Sequence, residues 1–121
     1  MNAQTKRGLL ELAAKAGGVA VDWREWAVGR VDKFGCLKST KKSGFRMGGR
    51  GWDPLDDDGD ALRLAVKLGF IVDTHGAFTR ISLPFGDVMC IAAHGDDPCA
   101  ATRLAIVRAA AKIAIAAGGE Q

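Results

Sequence analysis

Cysteine is scarce and odd in number, long apolar runs are missing, and neither sign of charge dominates. The three cysteines, Cys36, Cys90 and Cys99, are irregularly spaced. This argues against a disulfide framework and for a reducing compartment. No apolar run approaches the roughly 20 residues that span a bilayer. The opening MNAQTKRGLLELAAKAGG has no long apolar stretch and no convincing cleavage site, so no secretion signal is expected. With 17 Lys and Arg against 14 Asp and Glu, the formal net charge is +3, too small to imply nucleic-acid binding by itself. The 16 glycines follow no regular period, which excludes collagen, and 48% hydrophobic residues are too many for a disordered chain. A length of 121 residues suits one domain and leaves little room for a second.

What is present reads as a mixed chain. Thr5 caps a helix over 5–16, whose Leu9, Leu10, Leu12, Ala13 and Ala16 recur at helical spacing before Gly17-Gly18 ends it. From Val19 to Val31, β-branched residues and Trp23 and Trp26 predict one or two short strands. GCLKSTKKSGFRMGGRG, residues 35–51, is basic and glycine-rich without a sustained period, and is expected to be a long loop. Asp58-Gly59-Asp60 opens a helix through ALRLAVKL to Gly69, its acids facing the positive end of the helix dipole. FIVD, AFTRISL and VMCIAA, separated by turns at Thr74-His75-Gly76 and Pro84–Asp87, predict a three-stranded antiparallel meander. Its third strand is apolar at every position, which predicts helical cover on both faces of the sheet. Asp97 and Pro98 open a final Ala-rich helix that ends at Gly118-Gly119. The expected class is α/β (α+β): a small antiparallel sheet between helices, with no internal repeat.

Charge is distributed unevenly. Eight basic residues between Arg24 and Arg50 meet only Glu25 and Asp32, and the acidic WDPLDDDGD follows directly. Such a dipole either steers a partner or closes on itself.

GWDPLDDDGDALRLAVKLGF, GDDPCAATRLAIVRAAAKIA and the opening LLELAAKAGG together resemble the small NinX-type proteins of tailed phages and prophages, an α/β/α-sandwich group. The resemblance covers residues 5–17 and 50–117. It implies one sandwich-like domain over 1–121 with a basic, Gly-rich insertion at about 36–51, but no agreed activity.

The candidate chemistry is sparse. The Asp56, Asp57, Asp58 and Asp60 cluster fails the EF-hand spacing and reads as helix capping rather than a cation site. Cys90, His94 and Cys99 lack a fourth ligand for zinc. Cys99 in a helix's first turn with His94 nearby suggests a nucleophile. Neither an orienting group nor an oxyanion site accompanies it, and the resemblance favours packing. GFRMGGRGW is neither a P-loop nor a dinucleotide fingerprint. Its arginines nevertheless suit phosphates, and Phe45 and Trp52 suit stacking. Two of the three tryptophans are expected in the core, an exposed one marking a protein-binding site.

The expectation is therefore a non-enzymatic binding protein without cofactor or metal, acting in a host cytoplasm. Lys38, Lys41, Lys42, Arg46, Arg50 and Trp52 form the expected site. The resemblance, by analogy with other phage genes, implies a counter-defence, anti-CRISPR-like inhibitor that occludes a host defence protein or ribonucleoprotein. The alternative is a nucleic-acid or signalling-nucleotide binder using the same loop. No membrane partner is expected, and free sheet edges allow a homodimer.

Overall fold

The computed structural model describes residues 5–31 and 33–118, without the side chains of residues 27, 28, 30 and 38–41. The elements in chain order are α1 (Lys6–Gly17), β1 (Asp22–Val31), β2 (Leu37–Met47), β3 (Arg50–Trp52), α2 (Asp58–Leu68), β4 (Ile71–Asp73), β5 (Phe78–Ser82), β6 (Val88–Ala93) and α3 (Pro98–Ala116). They fall into two compact units, one formed by the chain up to Ala20 together with the chain from Asp53 onward, the other by Val21–Trp52. The mixed class and the antiparallel meander are as the sequence predicts.

All three helices start where the sequence says, because each has a side-chain acceptor for an otherwise unpaired N–H. Thr5 accepts from Gly8 N at 3.0 Å, Asp57 from Asp60 N at 2.8 Å, and Asp97 from Ala100 N at 3.0 Å. Gly18 and Gly69 end α1 and α2 at φ of 65° and 71°, a conformation that disfavours any residue with a Cβ. In this unit α3 packs against α1, α2, β5 and β6. Its Ala105, Ile106, Val107, Ala109, Ala110, Ala111 and Ala114 are all buried. The many alanines let the neighbouring elements approach closely. Leu12 of α1 packs with Ala111 and Ala114, flanked by Leu9 and Ala16. At Gly17 the approach to α2 is closer still: a Cβ there would lie 2.8 Å from Leu64 Cδ1.

The meander pairs Val72 with Ile81 and Ile81 with Cys90. Ile81, Thr79 and Cys90 are buried, and they share the face that α3 covers. Alternate residues tell the opposite story. Phe78, Arg80 and Ile91 are exposed, Ile91 by 59%. The sheet is therefore covered on one face, not both. The apolar composition of VMCIAA misleads here because a short strand of small and aliphatic side chains looks alike whether or not its second face is covered.

Residues 35–51 depart from the expected loop. The expected loop is a long antiparallel hairpin: β1 and β2 pair from Asp22 with Arg46 through to Val31 with Leu37, and β3 adds Trp52 opposite Phe45. Gly35 (φ 80°) lies between β1 and β2, and Gly48 (φ 66°) turns β2 into β3. Backbone pairing at this length supplies order that the side chains do not advertise. The central odd-numbered positions Ser39, Lys41 and Ser43 break any hydrophobic alternation.

Candidate polyanion-binding face

Register divides the hairpin's side chains into two sets. Trp23 pairs with Phe45, and Phe45 with Trp52. Their rings meet edge to face, with centroids 5.0 and 6.5 Å apart. Phe45 and Trp52 are each 4% exposed. This trio is the aromatic cluster of the unit; of the two tryptophans expected inside, Trp52 is buried and Trp23 only half-buried. It also corrects the stacking role: neither Phe45 nor Trp52 presents a face to a ligand.

The opposite set is different in kind. Trp26 stands across from Lys42, Arg24 across from Gly44, and Asp22 across from Arg46. Trp26 is exposed, and its ring edge comes within 3.7 Å of where a Cβ on Gly44 would sit. The missing side chain at Gly44 gives the indole room to lie along β2. The Arg46 guanidinium then sits 5.6 Å from the indole centroid, within cation–π range, and donates to Gly49 O. Lys42 and Arg24 are exposed. Asp22 holds Arg24 at 3.5 Å, a solvated contact of little strength. Thus three cations and one carboxylate surround one exposed indole.

Of the residues singled out in the sequence, Lys42 and Arg46 lie on this face. Arg50 pairs with Met47, on the side of Phe45 and Trp52, so Arg46 and Arg50 do not act together. Lys38 and Lys41 occupy ladder positions opposite Arg30 and Ala27, and their side chains lie outside those described. Sequence reasoning missed Trp26 and Arg24 as site residues. The available signal was the even-numbered series Lys38, Lys42, Arg46 set against Arg24, Trp26, Arg30. No family model, curated protein or solved structure matches this chain. The resemblance to NinX-type phage proteins rests on its motifs alone.

The acidic turn is accounted for within its own unit. Lys6 Nζ bridges Asp53 and Asp56 at 3.1 and 2.8 Å. Arg63 meets Asp60 at 2.7 Å and Arg103 meets Asp58 at 2.6 Å. Hydrogen bonding to Lys6 holds the Asp56 carboxyl below its ordinary range. Burial pushes Asp53 up, and Asp56 reinforces this against the opposing pull of Lys6. Asp60 is 3% exposed and accepts from Asp53 N at 2.9 Å, tying the chain before α2 to its first turn. Among the described residues no three His, Cys, Asp or Glu converge to hold a metal ion, and no helix is long and apolar enough to cross a membrane.

Cys90 is buried and Cys99 is exposed, so Cys99 is not the packing residue the resemblance implied. His94 Nε2 lies 2.8 Å from the Thr79 hydroxyl.

Proposed function

We propose that this chain is a non-enzymatic binding protein that takes single-stranded nucleic acid on the Arg24–Trp26–Lys42–Arg46 face of its hairpin. The observation that carries the reading is the exposed Trp26 indole flanked by Arg46 and Lys42. Aromatic faces hold bases irrespective of sequence, and surrounding cations hold the phosphates. Three cations on a strand of nucleic acid give a log–log salt slope of about −2, at about −0.7 per phosphate neutralised.

The test is fluorescence anisotropy of a labelled twelve-nucleotide oligothymidylate at 50–200 mM KCl. A salt slope near −2, lost together with affinity in an Arg24→Ala/Lys42→Ala/Arg46→Ala variant, supports the reading. Salt-independent binding, or no binding at 50 mM, overturns it.

The counter-defence inhibitor in a host cytoplasm remains a proposal drawn from the resemblance. Docking through a basic and an acidic patch together would need free carboxylates, and Asp53–Asp60 already face Lys6, Arg63 and Arg103. Nucleic acid is therefore the better-supported ligand.

A further inference from the structure

A pocket of ≈ 590 Å³ opens between α2, β4 and α3, within the roughly 300–1,000 Å³ of small-molecule sites. Ala61, Leu62, Val72 and Ile106 supply its apolar wall. Its charged residues are compensated: Arg103 donates to Leu55 O at 2.8 Å and to Asp58 Oδ1 at 2.6 Å. A charged ligand gains nothing from such a wall.

The neutral polar groups define one remaining function. The Pro98 carbonyl can only accept, and Thr102 donates to it at 2.8 Å. The Thr102 oxygen therefore accepts from the Thr79 hydroxyl, 2.8 Å away. With its proton so directed, Thr79 accepts from His94 Nε2–H at 2.8 Å. Thr79 is fully buried, so water does not compete for its hydroxyl. In the neutral imidazole, a proton fixed on Nε2 leaves Nδ1 as a bare acceptor. His94 also lines the pocket, as does the exposed Cys99.

We propose that this pocket binds a small, uncharged, mainly apolar molecule carrying one hydrogen-bond donor, the chemistry of a phenol, with His94 Nδ1 accepting from it. The pocket shares no residue with the hairpin face, and the proposal does not depend on the nucleic-acid reading.

The test uses 2-naphthol as the probe, followed by its own fluorescence, with the full chain. It binds one to one. 2-Methoxynaphthalene, which lacks the donor, binds roughly three- to tenfold more weakly, the loss of one net hydrogen bond. 2-Naphthoate binds at least tenfold more weakly, at the order expected for bringing an unpaired charge to an apolar wall. Val72→Trp fills the space and Leu62→Glu, at an exposed position, charges the wall; both abolish binding, whereas Arg46→Ala leaves it unchanged. Saturating 2-naphthol slows iodoacetamide modification of Cys99, read by mass spectrometry, and leaves Cys36 unaffected. The proposal falls if 2-naphthol does not bind, if both naphthalenes bind equally, if neither pocket variant weakens binding, or if the Cys99 rate is unchanged at saturation.

Discussion

Trp26 and Arg46 lie side by side but would act on a nucleic acid in different ways. Stacking is indifferent to salt, whereas phosphate contact displaces counterions. Trp26→Ala is therefore expected to cost about 1–3 kcal/mol of binding to oligothymidylate with the salt slope preserved. Arg46→Ala is expected to lower the slope by about 0.7 as well as the affinity. Anisotropy titrations at four salt concentrations separate the two. Asp60 is the residue whose loss matters to folding rather than binding. Its carboxylate is nearly sealed from solvent and satisfies Asp53 N, so Asp60→Ala leaves a part-buried donor unpaired. The expected loss is roughly 1–3 kcal/mol in urea unfolding. Arg63→Ala takes the counter-charge from that nearly sealed carboxylate and should cost more than the ~1 kcal/mol of an exposed ion pair.

At the scale of elements, the helices were legible because their signals are local. Thr5, Asp57 and Asp97 accept from backbone N–H groups three residues on, and Gly18 and Gly69 terminate the preceding turns without help from elsewhere. The hairpin was only half legible: β1 falls within the strand region expected over 19–31, whereas β2 and β3 did not show. Ten paired positions of β1 and β2 join residues up to 24 apart in sequence, Asp22 to Arg46. The apolar partners Trp23, Phe45 and Trp52 sit at one end of that ladder. No single window of sequence displays the alternation that results. The candidate face was half legible for the same reason. Lys42 and Arg46 were visible as basic residues, but Trp26 joins them only through the register. Where helices meet, the energetics follow from close packing around small residues. Leu12, 2% exposed, packs against Ala111 and Ala114, and truncating it opens a cavity between α1 and α3. Leu12→Ala is expected to destabilise the fold by about 2–5 kcal/mol, with a lower midpoint and an unchanged m-value in guanidinium titration.

For the whole molecule, a net charge of +3 conceals two unlike surfaces: a hairpin face carrying Arg24, Lys42 and Arg46, and an acidic turn matched by Lys6, Arg63 and Arg103. Acid should act on the second kind of pairing. Asp73 is held below its ordinary value by the His75 N–H and then by Arg80, and Asp56 foremost by Lys6. A carboxyl whose folded value is depressed contributes stability fully above about pH 4, the unfolded value, and loses it as pH falls through the folded one. Asp53, raised by burial, works in the opposite sense and softens the loss. The difference in Tm between the wild type and Asp73→Asn is expected to be constant from pH 7 to about 5 and to shrink steadily below about pH 4. A difference that holds its size down to pH 2 would remove the charged form of Asp73 from the account.

The amino-acid sequence alone determined the helix boundaries, the strand order of the meander and the mixed fold class. Each depends on caps, turns and periodicities acting over a few residues. Tertiary structure decided which apolar strand face stayed open, which tryptophan became core and which became surface, and that the acidic turn is matched by Lys6, Arg63 and Arg103. Those outcomes turn on pairings between distant residues, where register and packing choose among side chains that look equivalent in one dimension.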